Sequence, residues 1–318
     1  MSKIRIGVAG ANGAFGSKHL EALSAIEEAE TVAVMATSME KANGVADQFG
    51  VPARYDDYQA MLAHDGLDAV ILATPTQLHA AQGLAAMQAG KHVLIEIPMA
   101  DSLADSEQLL AMQKQTGLVG MAGHVRRFNP SHQWVHNKIT AGDLAIQQMD
   151  VQTYFFRRTN MNAKGEPRSW TDHLLWHHAC HTIDLFMYQT GETVSEVYAV
   201  QGPQHPDLGI AMDMSILMKT PTGKLCTLSL SFNNDGPLGT FFRYICDKGT
   251  YIARYDDLFD GRDEPIDVSK VDVSMNGIEL IDREFIAAIQ EGREPNGSLA
   301  QCLPAMQVMH EIEQKMSL

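Results

Sequence analysis

Short apolar runs punctuate the first part of the chain. "KIRIGVAG", "ETVAVMAT", "DAVILATP", "KHVLIEIP" and "GLVGMAG" are rich in aliphatic and β-branched side chains and lack the strict alternation of a half-exposed strand. Such runs predict strands buried on both faces. Between them lie segments with helical spacing: Ala14 to Glu28, Met39 to Phe49, "TQLHAAQGLAAMQAG" ending on Gly90, and Leu103 to Gln115. Strand and helix in alternation predict a parallel, doubly wound sheet.

After "GHVRRFNP" the rhythm changes. A helix from Ser131 to Thr140 leads into long β-rich segments, "IQQMDVQTYFF", "DMSILMKTPTGKLCTLSLSF" and "FFRYICDKGTYIARY". Pro221, Thr222 and Gly223 form a hairpin turn signal between two of these runs. Helices near Ile278 to Gln290 and Leu299 to Gln314 close the pattern. The expected fold class is α/β. A Rossmann-type domain, 1–123, precedes an α+β domain, 124–318, with an open antiparallel sheet. A length of 318 residues suits about two domains.

Composition narrows the function. Apolar residues at 45% provide for substantial cores, and a formal net charge of −15 argues against non-specific binding to nucleic acid or membrane surfaces. On that acidic background, clusters of arginine carry more information. Cys180, Cys226, Cys246 and Cys302 show no CxxC spacing and read as reduced thiols. "MSKIRIGVAG" runs straight into a strand, and no apolar run approaches the roughly 20 residues of a membrane helix. A cytoplasmic protein with a small-molecule partner is expected.

Gly10, Gly13 and Gly16 lie in "GVAGANGAFG", between the first strand and the first helix. Glycines there permit a tight turn and close approach of backbone to a pyrophosphate, which then sits on the helix N-terminus. Asn12 stands at the usual second-glycine place. Gly10, Asn12, Gly13, Ala14, Phe15 and Gly16 are the expected cradle. An NAD enzyme wants an acid at the end of the second strand, to hold the ribose 2′-hydroxyl. Here "MATSMEK" offers Thr37, Ser38 and Lys41 instead. Hydroxyls and a cation suit a 2′-phosphate, so NADP is expected to be preferred and NAD tolerated. Thr37 and Ser38 read equally as helix caps, which would not exclude phosphate contact.

"HLLWHHACHTID", residues 173–184, places four of the chain's 13 histidines in nine positions. On a wheel of about 100° per residue, His173, Asp184, His177, Tyr188 and His181 share a stripe roughly 80° wide. Leu175, Ala179, Thr182, Ile183, Phe186 and Met187 fall opposite, and His178 lies off the stripe. With Thr171 or Asp172 as cap and Gly191 as stop, this predicts an amphipathic helix whose titratable face lines a pocket. His173, His177 and His181 span about 12 Å along such a helix. Zinc–nitrogen bonds of about 2.1 Å cannot close that span, so no metal is expected. A purely structural histidine face is the other reading.

Arg126 and Arg127 follow the last strand of the first domain. Arg157 and Arg158 end a strand of the second, and Lys164 and Arg168 follow in the next loop. Guanidinium forks bind carboxylates bidentately, so the set suits a substrate with two or three of them. Ion pairing with the protein's own acids is the alternative. Tyr154, Trp170 and Trp176 are candidate flat walls or core residues.

"ATPTQLHAAQGLAAMQAGKHVLIEIPMAD" resembles the Gfo/Idh/MocA oxidoreductases, whose Rossmann domain carries an ATP-N-x-x-H stretch and then GKHV-x-x-EKP. The histidine helix resembles that family's D-x-G-x-H-x-x-D motif. The resemblance covers nearly the whole chain. It implies nicotinamide chemistry, pairing of two copies through the open sheet, and cofactor-side roles for Thr74, Pro75, Thr76, His79, Glu96 and Pro98. Two departures matter. Ile97 replaces the lysine of EKP, and His177 replaces the first acid, with His181 at the histidine place. Isoleucine transfers no proton, which leaves the imidazoles. His181 is expected as base, Asp184 as its orienting acid and His177 as partner.

"GHVRRFNPSHQWVHNKI", "YFFRR" and "SWTDHLLWHHACHTID" together resemble, within the family, NADP-dependent dehydrogenases of aromatic catabolism. These oxidise the cyclic hemiacetal of a carboxylated ring-fission product. His124, Arg126, Arg127, Arg158 and Arg168 are the expected substrate contacts. A sugar or cyclitol dehydrogenase and a non-catalytic NADP-binding regulator are the alternatives. The missing lysine and the arginines count against the first; the retained histidines count against the second.

Overall fold

The structure, a computed structural model, describes residues 2–161, 165, 167, 171–269 and 277–316. The chain forms two compact units. One holds Met1–His124 and Ile278–Leu303; the other holds Val125–Gly277 and Pro304–Leu318. The switch expected after residue 123 thus falls at His124/Val125. The second expected domain is corrected in one respect: its segment 278–303 belongs with the first unit. Periodicity reveals that a helix has an apolar face, not which sheet supplies the surface to cover it.

In the first unit, strands β1 (Ile4–Ala9), β2 (Ala29–Met35), β3 (Ala53–Tyr55), β4 (Ala69–Leu72), β5 (His92–Ile95) and β6 (Gly120–Ala122) are ordered β3-β2-β1-β4-β5-β6. Every pairing is parallel. All of β4 and the last four residues of β1 are buried, as expected of strands covered on both faces. Helices α1 (Ala14–Ser24), α2 (Met39–Phe49), α3 (Tyr58–Leu62), α4 (His79–Gln88) and α5 (Leu103–Thr116) connect them. Ser38 and Ser102 cap α2 and α5 by accepting from the N–H groups of Lys41 and Asp105. The short edge strand β3 and α3 carry too little periodic pattern to read from sequence. The strand order reverses between β1 and β4, and the loops at the C-terminal ends of strands flanking such a reversal are where α/β sheets bind ligands.

In the second unit, α6 (Pro130–Thr140) leads to β7 (Ile146–Tyr154), and α7 (Cys180–Thr190) to β8 (Glu196–Gln201), β9 (Asp213–Lys219) and β10 (Leu225–Ser231). Then come β11 (Gly239–Cys246), β12 (Gly249–Arg254), β13 (Asp257–Asp260) and β14 (Pro265–Ile266). The order is β14-β13-β12-β11-β7-β10-β9-β8. β7 and β10 pair in parallel and the other neighbours antiparallel, so the antiparallel sheet expected carries one parallel pair among the described residues and is mixed. α7, β8 and β9 separate β7 from β10, so no hairpin forces their directions to oppose. Along β9 and β10 burial alternates, leaving one face open. On that face Tyr198 (62% exposed) stands opposite Leu217 in register, with Val200 nearby.

α8 (Gly277–Glu291) and α9 (Leu299–Met316) follow. α9 passes from one unit to the other at Pro304. Among the described residues, no helix is long and apolar enough to cross a membrane.

Candidate active site

The β1–α1 turn has the shape of a phosphate cradle. Gly10 adopts φ +78°, and a Cβ there would lie 2.4 Å from the Ala73 carbonyl oxygen. A Cβ at Gly16 would lie 2.3 Å from the Gly10 carbonyl. Loop, helix and the β4 loop can therefore approach this closely only without side chains. Gly13 is the N-cap of α1 and caps nothing with a side chain, and the first turn holds no acid. The N–H groups around Ala14 and Phe15 are thus available to an anion. Phe15 is half-exposed, with the Lys18 ammonium 5.2 Å from its ring centre. Asn12 completes the loop. These residues fit the pyrophosphate of a dinucleotide. Thr37 and Lys41 are exposed beyond β2, while the Ser38 hydroxyl caps α2 at 3.3 Å from the Lys41 nitrogen.

The resemblance-derived positions past β4 and β5 form a braced pair of loops. Buried Thr74 donates to Gln82 Oε1 (2.6 Å), and Pro75 leads into a 3-10 turn over Thr76–Leu78. His79, 1% exposed, has Nε2 2.8 Å from the Thr74 carbonyl and Nδ1 2.8 Å from the Pro98 carbonyl. Burial pushes its imidazole below the ordinary range, while the two carbonyls pull the other way. His79 therefore stands between the two loops, each ring nitrogen against a carbonyl of one of them. The peptide between Ile97 and Pro98 is cis.

Glu96 has partners that sequence reasoning missed. His19, fully buried on α1, places Nε2 2.9 Å from Glu96 Oε1 and Nδ1 2.7 Å from Asp282 Oδ1. Burial opposes charge on this ring, but the Asp282 and Glu96 carboxylates outweigh it and push His19 up to about 10. Both nitrogens thus donate. The only signal in the sequence was a histidine on the apolar face of α1. His124, buried at the end of β6, closes this unit's list of candidates.

The histidine segment is not the single regular helix expected. Leu174–Ala179 forms a π-helical stretch with His173 as N-cap, and only Cys180–Thr190 is α-helical, stopping at Gly191. Hydrogen bonds of the i→i+5 kind shift the angular register, so the sequence wheel does not describe the first half. His177 Nδ1 accepts from the His173 N–H at 3.0 Å, reaching back to the helix start as a capping-box side chain does. With Nδ1 accepting, the neutral ring carries its proton on Nε2. Burial, opposed by Asp172 and assisted by His178 and His173, pushes His177 down to about 4. His181 lies half-buried in the first turn of α7. His178 Nε2 stands 3.7 Å from Asp172 Oδ2.

Asp184 and Arg127 are partners that the sequence reading did not anticipate. Arg127 donates Nε and Nη2 to the two oxygens of Asp184, at 2.8 and 2.6 Å, with both side chains buried. The pairing engages two of the guanidinium's donors and both carboxylate oxygens with each other. Sequence distance hid the pair, since 57 positions separate the partners. Arg158 donates Nη1 to the carbonyls of Arg157 and Phe232 and to Asn233 Oδ1 (2.7, 3.2 and 3.1 Å), so it staples backbone. Arg157 pairs with Asp172. Trp176 is buried and donates to Glu313 Oε1 (2.9 Å), and Tyr154 donates to Ser229 Oγ (3.1 Å). Arg168, Lys164 and Trp170 lie outside the described residues. Of the arginines expected to bind substrate, Arg127 holds a carboxylate of the protein, while Arg126 and Arg158 make their side-chain hydrogen bonds to amide and carbonyl oxygens.

A parallel sheet with reversed order and a bare glycine turn is the frame of a dinucleotide-binding domain. Residues 4–124 match the profile described as "Oxidoreductase family, NAD-binding Rossmann fold", and 130–272 match "Bacterial oxidoreductases, C-terminal". The chain is 66% identical over 310 residues, 98% of each chain, to 4-carboxy-2-hydroxymuconate-6-semialdehyde dehydrogenase of Sphingobium sp.. It is 28% identical to inositol 2-dehydrogenase of Rubrobacter xylanophilus, over 70% of this chain and 62% of that one. Among solved structures, levoglucosan dehydrogenase in complex with NADH shares the fold at TM-score 0.86 and 20% identity, over 99% and 97% of the two chains. The chain belongs to the Gfo/Idh/MocA oxidoreductase family.

Proposed function

We propose that the chain is an NADP-dependent dehydrogenase that oxidises the cyclic hemiacetal of 4-carboxy-2-hydroxymuconate-6-semialdehyde to 2-pyrone-4,6-dicarboxylate. It would serve the 4,5-cleavage of protocatechuate in the cytoplasm. The observation that carries this reading is 66% identity along 98% of the chain to the Sphingobium enzyme of that name. Ile97 agrees with it. A hemiacetal hydroxyl is more acidic than an alcohol, and its ring oxygen stabilises the developing carbonyl, so no lysine is required.

The bound nicotinamide would accept the hydride. His181 takes the hydroxyl proton as base, and His177 donates from Nε2 to the same oxygen. A weak base with a pKa near 7 suffices. The glycine turn holds the pyrophosphate, and Thr37 and Lys41 hold the 2′-phosphate, giving NADP preference with NAD tolerated. Arg126 binds a substrate carboxylate. The open face around Tyr198, Val200 and Leu217 supports a homodimer, since apolar side chains of this size rarely stay in water together.

Reduced-nicotinamide absorbance with the ring-fission aldehyde tests the reading. Turnover with NADP and product identical to 2-pyrone-4,6-dicarboxylate is expected. Turnover of inositols or aldoses alone would overturn it.

A further inference from the structure

Two adjacent arginines have opposite fates. Arg127 is paired with Asp184. Arg126 sits largely buried with its guanidinium 4.9 Å from the centre of the Tyr255 ring, and Nη1 makes one long contact, 3.4 Å, to Asn129 Oδ1. Its buried Nε has no hydrogen-bond partner. Burial works against even a guanidinium's charge here.

Asp256 is an acid whose charge attracts Arg126. Asn129 Nδ2 donates to Asp256 Oδ1 at 2.7 Å, while its Oδ1 faces Arg126. One buried amide thus takes up the carboxylate with its donor end and approaches the cation with its acceptor end. Tyr255 is placed with equal care. It adopts φ 54°, a left-handed conformation disfavoured for a tyrosine, and the Ser131 hydroxyl donates to its carbonyl. Its hydroxyl lies against Gly239, where a Cβ would be only 2.7 Å away. Tyr255 is 47% exposed, so an aromatic side chain reaches the surface beside the largely buried Arg126 guanidinium.

We propose that Arg126, Asn129 and Tyr255 form a carboxylate subsite for a planar polycarboxylate. In it Asn129 keeps Asp256 from neutralising Arg126, and Tyr255 is the shelf that fixes the guanidinium plane. Asn129 and Tyr255 are positioning residues. That the ligand is the ring-fission hemiacetal rests on the function proposed above; that it is a planar carboxylate rests on this geometry.

Calorimetry on the full chain with NADP tests the subsite, using pyridine-2,4-dicarboxylate against pyridine-2-carboxylate and pyridine-4-carboxylate. Wild type is expected to prefer the dicarboxylate over both. Arg126→Met should weaken it roughly 10- to 100-fold, as loss of a charge-assisted contact does. If that variant does not fold, Arg126→Lys, which loses the fork, is read in the same way. Tyr255→Phe should bind within about twofold of wild type, and Tyr255→Leu about 3- to 30-fold more weakly, the range of a cation–π contact. Asn129→Asp should lose preference for the dicarboxylate, because it pairs Arg126 internally. No dicarboxylate preference in wild type, or wild-type binding by Arg126→Met, overturns the subsite. Wild-type binding by both Tyr255→Leu and Asn129→Asp overturns the positioning roles. Dicarboxylate preference with no turnover of the ring-fission aldehyde would instead retire the substrate assignment and leave the subsite standing.

Discussion

Nδ1 of His19 lies 2.7 Å from Oδ1 of Asp282, a residue 263 positions away, inside the unit that carries the glycine turn. Because the same ring also meets Glu96, removing it leaves two carboxylates buried. His19→Gln is expected to cost about 3–5 kcal/mol, the usual result of breaking a buried charged pair from one side. The folded-state pKa near 10 lies above the ordinary 6.5. The stabilisation is therefore complete below pH 6.5 and is lost as pH rises toward 10. Urea unfolding at pH 6.5 and pH 10 should show the wild-type advantage over His19→Gln shrinking; an unchanged gap would mean the ring is neutral.

Arg127 and Asp184 should behave as one unit. Arg127→Ala and Asp184→Ala are each expected to cost about 3–5 kcal/mol, because each strands a buried charge. Arg127→Met with Asp184→Leu should be less destabilising than the sum of the singles. Additive losses in a double-mutant cycle would contradict the internal pairing.

Two histidines one turn apart have separable signatures. His177, held near 4, is neutral above about pH 5, so it cannot supply an acid limb near neutrality. His181→Ala is expected to lower kcat about 10²- to 10⁴-fold and abolish that limb. His177→Ala should lower kcat and leave the limb in place. If His177→Ala removes the limb instead, the two roles are exchanged.

Cofactor choice depends on an exposed position after β2. NADP is expected to bind more tightly than NAD, and Thr37→Asp to reverse the order by repelling the 2′-phosphate. A wild-type preference for NAD of tenfold, about 1.4 kcal/mol, would refute this reading. Titrations of the quenched protein fluorescence with each nucleotide decide it.

The sequence by itself determined the parallel sheet, the glycine turn at Gly10–Gly16 and the β9–β10 hairpin. Buried strands, tight turns and helix stops are local requirements, written in neighbouring residues. It also brought the histidines to one short segment, and Ile97 to the place of a lysine. Only the tertiary structure decided what those residues do. Whether an arginine binds a ligand or a protein carboxylate depends on which acid the fold brings near it; Asp184 comes to Arg127, while Asp256 takes a hydrogen bond from Asn129. The π-helical turn at Leu174–Ala179, within which His177 accepts from the His173 N–H, was likewise not legible in the periodicity. His19 meets Glu96 and Asp282 because α8 returns to the first unit, a choice of partner surface that no local pattern encodes.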